Sequence, residues 1–256
     1  MALIKCPECG WNVSTLADAC PHCGCPVKKM IIADVSEDVS DIFNRGMQHL
    51  QGDGVAQNYE KGIAYLLRAA EQGYAKAQNN LGTMYAEGRG VSQDFQRAAE
   101  WYQKAAEQGN VDAQFNLGIM YANGLGRLQD FQKAAEWYQK AAEQGNIRAQ
   151  SNLAMMYAKG EGVMQDFQKA AEWYQKAAEQ GDADAQFSLG AAYYGGEGLP
   201  QSYQKASEYF LRAAEQGNAR AQFNLAIMYW HGLGVPLDRA KAVEWQQKAA
   251  AQGITG

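Results

Sequence analysis

Apolar residues recur along most of this chain at the spacing of an amphipathic helix. In residues 110–145, Ala113, Leu117 and Tyr121 follow one another every four positions. This spacing places the three side chains on one helical face, and Asn110 is suited to cap the helix at its start. The pattern predicts a helix of three to four turns.

A second helix follows in the same segment after a glycine-containing turn. Gly124 and Gly126 end the first helix, because glycine adopts the positive φ angles that a tight turn requires. Asp130 begins the second helix, and Gly145 closes the segment. Small and large apolar residues then give this helix broad contact surfaces: Ala134, Ala135, Trp137, Tyr138, Ala141 and Ala142. The segment is therefore a helical hairpin that cannot bury its apolar faces alone.

The hairpin pattern repeats along the chain with a fixed period of 36 residues. The closing glycine returns without slippage at Gly73, Gly109, Gly145, Gly181, Gly217 and Gly253. A fixed period of this length indicates stacked supersecondary units. We predict an all-α solenoid of six hairpins: 38–73, 74–109, 110–145, 146–181, 182–217 and 218–253.

The repeated residues resemble the Sel1-like repeat family, a relative of the tetratricopeptide repeats. The positions that carry the resemblance are Ala113, Gln114, Leu117, Gly118, Tyr121, Gly124, Gly126, Asp130, Ala134, Trp137, Tyr138, Ala141, Ala142 and Gly145. The resemblance implies a right-handed superhelix of antiparallel helix pairs that acts as an adaptor for a protein or peptide partner. Secreted, cysteine-rich members are linked to penicillin binding and weak β-lactamase activity, and this activity is an alternative function. Those members carry a disulfide in each repeat and a secretion signal, which this sequence lacks.

The cysteines are confined to the first 25 residues and predict a second, much smaller module. Cys-Pro-Glu-Cys-Gly and Cys-Pro-His-Cys-Gly are two copies of one knuckle, and together they supply Cys6, Cys9, Cys20 and Cys23. Four thiolates in this arrangement suit one tetrahedral, structural Zn²⁺ ion. We predict a zinc ribbon over 1–30 and a linker over 31–37. Cys25 is an alternative fourth ligand, and a redox dithiol is a competing interpretation.

Charge and hydropathy exclude several classes of protein. The net charge is −5, which is the sum of +1 over residues 1–30 and about −6 over the rest of the chain. A solenoid that binds nucleic acid needs a basic stripe, so we do not expect nucleic-acid binding there. A nucleic-acid contact through the ribbon remains open. No apolar run approaches the ~18 residues of a membrane span, and no signal peptide is recognisable. We expect a cytoplasmic protein with no membrane span.

A face of the first helix of each repeat, opposite the packing face, is predicted to line a groove. Its residues vary between repeats, which suits recognition of a partner. The candidate partner-binding residues are Phe115, Asn116, Ile119, Asn152, Phe187, Tyr194, Phe223, Asn224, Ile227, Trp230 and His231. The alternative is that the phenylalanine and methionine side chains of this face pack against neighbouring helices.

No catalytic signature breaks the symmetry of the repeats. The sequence contains no G-x-S-x-G elbow, S-x-x-K triplet, Walker loop or H-E-x-x-H motif. Paired acids such as Glu100 and Glu107 recur with the repeat, which marks them as solvated helix faces. We therefore predict a non-enzymatic scaffold with no catalytic residue.

Overall fold

A computed structural model describes residues 3–5, 12–14 and 37–254. The two strands are β1 (Leu3–Lys5) and β2 (Asn12–Ser14). The twelve helices within these residues are α1 (Val39–Gln51), α2 (Tyr59–Glu71), α3 (Ala75–Glu87), α4 (Phe95–Glu107), α5 (Val111–Asn123), α6 (Phe131–Glu143), α7 (Ile147–Lys159), α8 (Phe167–Glu179), α9 (Ala183–Gly195), α10 (Tyr203–Glu215), α11 (Ala219–His231) and α12 (Arg239–Ala251). They form six helical hairpins, which confirms the predicted repeat architecture.

The chain divides into two compact units. One comprises residues 1–81 with 89–91, and the other comprises 82–88 with 92–256. In the first unit, β1 and β2 pair antiparallel, with Lys5 opposite Asn12. The helices α1 and α2 of this unit pack together, and the Glu37 carboxylate pairs with Arg45 at 2.9 Å and Arg68 at 3.1 Å.

The helix boundaries follow from capping side chains and glycines, as the sequence predicts. Asn110 accepts a hydrogen bond from the backbone N–H of Ala113 at 2.9 Å, and Asp130 accepts one from Lys133 at 3.0 Å. Gly124 ends α5 with a φ of +66°, in the left-handed region. Each cap satisfies a backbone group that the helix itself leaves without a partner.

In the larger unit, the first helix of a repeat lies between two second helices. Helix α7, for example, packs against α8 of its own repeat and against α6 of the preceding one. Its face residues Leu153 and Ala154 are fully buried, and the corresponding Leu117 and Leu189 are buried as well. The core is therefore a continuous row between consecutive hairpins, as expected of stacked repeats.

Buried glutamines join each repeat to the one before it. Gln150 is 4% exposed and donates a 3.1 Å hydrogen bond to the carbonyl oxygen of Ala142, near the end of α6. The same bond recurs for the equivalent glutamines of the other repeats: Gln78 to Ala70, Gln114 to Ala106, Gln186 to Ala178 and Gln222 to Ala214. The Ala142 carbonyl also accepts a hydrogen bond from the backbone N–H of Gly145 at 3.0 Å, so the glutamine supplies its second bond.

One glycine of each turn also brings consecutive repeats close together. Gly162 has a φ of +70°, and a Cβ atom at this position would lie 2.2 Å from the carbonyl carbon and oxygen of Phe131 at the start of α6. Gly126 and Gly198 approach Phe95 and Phe167 in the same way. Only glycine allows this approach, because both the backbone angle and the space exclude a side chain.

Candidate peptide-binding groove

Helices α7, α9 and α11 present one side of their surface to an open groove. We call this the central groove. It has a volume of about 530 Å³, with α8 contributing Tyr174. Its lining is half polar and comprises Arg148, Ser151, Asn152, Met155, Tyr174, Asp182, Asp184, Ala185, Phe187, Ser188 and Arg220.

A second cleft of about 350 Å³ lies on the last repeat, and we call it the terminal cleft. It is mostly apolar and is formed by α11 and α12. Trp230, which is 46% exposed, is one of its walls. The lining residues are Phe223, Ala226, Ile227, Trp230, His231, Ala242 and Gln246.

Six of the predicted partner-binding residues line these two cavities. Asn152 and Phe187 lie in the central groove. Phe223, Ile227, Trp230 and His231 lie in the terminal cleft. The predicted face therefore coincides with concave surface over the last three repeats, although its binding of a partner stays a prediction.

Phe115 does not belong to an accessible surface. Its side chain is 4% exposed, its ring centroid lies 5.8 Å from that of Tyr138, and the Arg148 guanidinium covers the ring at 4.6 Å. Phe115 therefore packs against neighbouring helices, which is the alternative given for this face. Helix α5 lies between α4 and α6, and Arg148 of the next repeat covers the rest of the ring. A residue so enclosed has little surface to offer a partner.

Four other predicted residues are half-buried and line neither cavity. Asn116 and Ile119 lie on α5, and Asn224 lies on α11 beside Phe223. Tyr194 packs its ring edge-on against Tyr203, with centroids 5.2 Å apart. Their positions put them beside the cavities rather than in their walls.

Two tyrosines on the second helices of consecutive repeats, Tyr138 on α6 and Tyr174 on α8, have raised pKa values. Burial is the main cause of the rise, and interaction with the Asn152 and Ser188 side chains of the following first helices opposes it in part.

The central groove contains both carboxylate and guanidinium groups. The carboxylates have hydrogen-bond partners within the protein, whereas the guanidinium groups have no carboxylate partner among the described residues. The Asp182 carboxylate accepts hydrogen bonds from the Ala185 N–H at 2.7 Å and the Ser151 hydroxyl at 3.2 Å. The Asp184 carboxylate accepts one from the Asn218 amide at 2.9 Å. Within the described residues, neither Arg148 nor Arg220 has a carboxylate at ion-pair distance.

Arg148, Tyr174 and Arg220 line the groove but are not among the residues predicted from the sequence. Arg148 and Arg220 occupy the repeat position that holds Asp112 and Asp184 in other units. This change in the sign of the charge at one repeat position could have identified the two arginines from the sequence. Tyr174 gave no such signal, because tyrosine is also present at this position in the second and third repeats, where it is buried.

The predicted zinc ligands Cys6, Cys9, Cys20 and Cys23 lie outside the described residues. Among residues 3–5, 12–14 and 37–254, no cluster of three or more metal-ligating side chains is present. Within the same ranges, no helix combines the length and apolar character needed to cross a bilayer.

Comparison with known proteins connects this architecture to one family. The Sel1 repeat family matches six consecutive segments: 42–74, 75–110, 111–146, 147–182, 183–218 and 219–254. No curated protein matches the chain significantly.

Two solved structures are similar in both sequence and fold. One is c5321, described as a protective antigen present in uropathogenic Escherichia coli strains with an SLR fold; it is 40% identical with a TM-score of 0.82. The match covers 84% of this chain but 46% of the E. coli protein, so the chain spans about half of that protein's length. The other is a Sel1 repeat protein from Oxalobacter formigenes, 34% identical with a TM-score of 0.75 over 83% of each chain. With six matched repeats over most of its length, the chain belongs to the Sel1 repeat family and has its α-solenoid fold.

Proposed function

We propose that this protein is a non-enzymatic scaffold that binds an extended segment of a partner protein along the central groove and the terminal cleft. The observation that carries the proposal is the distribution of repeated and variable positions. Residues that recur identically, such as Leu117 and Leu153, are buried. Residues that vary at the cavity positions, such as Met155 and Phe187, keep exposed surface.

Family membership supports an interaction role in general terms. Sel1 repeat solenoids are generally protein-interaction scaffolds. A fold does not name the partner, so the groove itself must carry any more specific assignment. Its half-exposed aromatic rings supply apolar contact area, while its amide and hydroxyl groups supply hydrogen bonds to a peptide backbone.

The pKa values that differ from the ordinary values of their groups favour a scaffold over an enzyme. Burial raises the pKa of Tyr102, Tyr138 and Tyr174, and the hydrogen bond from the Lys133 backbone lowers that of Asp130. Each displacement follows from packing or helix capping. A tuned acid–base pair would instead combine such shifts with mutual contact in a cavity.

We also propose that Cys6, Cys9, Cys20 and Cys23 hold one structural Zn²⁺ ion. The pairing of β1 with β2 supports this, because the two strands flank the first Cys-x-x-Cys pair in the sequence. Bound zinc would supply much of the folding free energy of so short a module. The cytoplasmic location expected from this clustered cysteine pattern stays a prediction.

Site-specific photocrosslinking tests the groove. Met155 lines the central groove and is 39% exposed, whereas Met164 of the same repeat is 89% exposed and does not line it. Each is replaced separately by p-benzoylphenylalanine in cells of the source organism. We expect a discrete adduct with a partner from position 155 and none from position 164.

Equal adducts from both positions would show that exposure, and not the groove, determines contact. The absence of any adduct at position 155 would contradict the proposal as well. Met164 is the stringent control, because its greater exposure favours random capture.

A further inference from the structure

At one position of the first helix, the repeat 182–217 differs from four of the other five repeats; the first repeat has Gln48 there. Four repeats carry methionine there, namely Met84, Met120, Met156 and Met228, and all four are at most 6% exposed. The fifth has Ala192, preceded by Ala191 where Ile119 and Ile227 stand elsewhere. The departure removes most of the side-chain volume from this part of α9.

The missing methionine leaves a cavity. Met156 belongs to one buried cluster with Ala134 and Ala135 of the preceding repeat. At the equivalent place, Ala192 faces Ala170 and Ala171 across an opening of about 190 Å³, which we call the alanine pocket. Its full lining is Ala158, Phe167, Ala170, Ala171, Tyr174, Phe187, Ser188, Ala191, Ala192 and Glu197. The pocket is therefore an apolar slot of the kind that a methionine side chain fills elsewhere in this protein.

The alanine pocket adjoins the central groove. Tyr174, Phe187 and Ser188 line both cavities. An extended peptide in the central groove would thus pass the mouth of the pocket, where one of its side chains can enter. The apolar walls of the pocket are open to solvent, and an inserted apolar side chain would remove that surface from water.

The alanine pocket and the central groove differ in their charged residues. Glu197 lines the pocket, whereas Arg148 and Arg220 line the central groove. The groove carboxylates Asp182 and Asp184 already accept hydrogen bonds from neutral donors, while the two guanidinium groups have no ion-pair partner within the described residues. An arginine without a carboxylate partner is suited to receive one from a ligand.

We infer that the alanine pocket and the two arginines recognise a partner segment with a leucine- or methionine-sized side chain in the pocket and an acidic side chain at Arg148 and Arg220. This inference rests on the proposed peptide-binding function and defines the sequence class that the groove selects.

The test starts from a random dodecapeptide library displayed on phage and selected against the full-length protein. Affinities of enriched peptides are then measured by fluorescence anisotropy. We expect an enriched apolar residue followed or preceded within a few positions by Asp or Glu. Replacing either residue of the peptide by alanine should weaken binding about tenfold or more, as expected when one buried apolar contact or charged pair is lost.

Variants of the protein test which of its residues contact the peptide. Ala192→Met places the residue of the other repeats in the pocket and should abolish binding while raising the melting temperature. Ala251→Met makes the same change at an exposed position of α12 and should leave the affinity unchanged. Arg220→Glu should reverse the preference, so that a peptide with Lys in place of its acid binds better than the original.

The outcomes separate this inference from the proposed function. If enriched peptides bind Ala192→Met as well as the wild-type protein but lose affinity with Met155→Glu, the groove function survives and the pocket assignment fails. If no enriched peptide responds to any groove substitution, both fail. Self-association of the wild-type chain that Ala192→Met abolishes would assign the pocket to a second copy and overturn the peptide assignment.

Discussion

The Nε2 atom of Gln180 donates a hydrogen bond of 2.8 Å to the Oε1 atom of Gln150. Gln150 uses its own amide group to reach the Ala142 carbonyl of the preceding repeat. One buried side chain thus holds the end of α6 and the end of α8 together. The same pairing recurs in three other repeats, between Gln144 and Gln114, Gln216 and Gln186, and Gln252 and Gln222.

Replacing this glutamine should destabilise the protein. Gln150→Leu removes one of the two hydrogen bonds of the Ala142 carbonyl, which keeps its bond from the Gly145 N–H, and one of the two of the Gln180 amide, which keeps its bond to the Lys176 carbonyl. Each hydrogen bond lost costs about 0.5–1.5 kcal/mol. We expect a lower midpoint of urea unfolding, followed by circular dichroism. Gln175→Leu is the control, because Gln175 is exposed and pairs only with Glu179 on its own helix; its effect should stay within about 0.5 kcal/mol. Equal effects of the two substitutions would show that the buried bonds do not stabilise the repeat interface.

Two turn glycines allow the energetic cost of a positive φ angle to be measured separately from the cost of a clash between repeats. Gly162→Ala and Gly145→Ala both place alanine at a positive φ, of +70° and +90°. A Cβ atom at Gly145 has open space around it, whereas at Gly162 it meets the Phe131 backbone. We expect Gly145→Ala to cost about 1–2 kcal/mol of unfolding free energy, from the angle alone, and Gly162→Ala to cost more. Chemical denaturation of both variants measures the difference, and a smaller loss for Gly162→Ala would contradict the contact.

Alkaline pH should weaken the fold through its buried tyrosines. Because burial raises the pKa of Tyr102, Tyr138 and Tyr174, the unfolded chain releases these protons at a lower pH than the folded chain does. Stability is therefore complete below pH ~10, the pKa of an unfolded tyrosine, and falls as pH rises through the folded pKa. Denaturant midpoints at pH 8 and pH 10.5 test this. Tyr138→Phe should reduce the alkaline loss, and an unchanged loss would remove Tyr138 from the cause.

Zinc content tests the N-terminal module. Elemental analysis of the reduced, untagged protein should give one zinc ion per chain, because four thiolates form a closed tetrahedral set. Cys6→Ser and Cys23→Ser should lose the metal, while Cys25→Ser should retain it. Zinc-free wild-type protein would contradict the site, and loss of zinc from Cys25→Ser alone would make Cys25 the fourth ligand.

The local elements of the fold were predictable because their signals lie within a few residues. Asn110 and Asp130 cap helices that begin at the next residue, and Gly124 ends a helix through its own backbone freedom. The 36-residue register then fixed the number of hairpins. None of these inferences needed knowledge of the neighbouring repeat.

The groove was less predictable because it depends on contacts between repeats. Helical periodicity gives the direction of Phe115 around α5, but not that Arg148 of the next repeat covers its ring. Likewise, the sequence shows Ala192 in a column of methionines, yet only the coordinates show that the neighbouring helices leave the space open. Side chains that do not recur identically are the ones for which the repeat pattern offers least guidance.

The glutamine bridge also bears on how such a chain changes in evolution. Each of the four repeats from 110 to 253 brings both the acceptor for its own closing glutamine and the donor for the carbonyl before it, so the boundaries in front of these repeats have the same chemistry. Duplication or deletion of a whole unit would therefore create no orphaned polar group at the new junction. Recent duplication of whole repeats would produce nearly identical segments such as 97–109, 133–145 and 169–181. Length can then vary by recombination, while point substitutions such as that at position 192 alter the cavity that an individual copy lines.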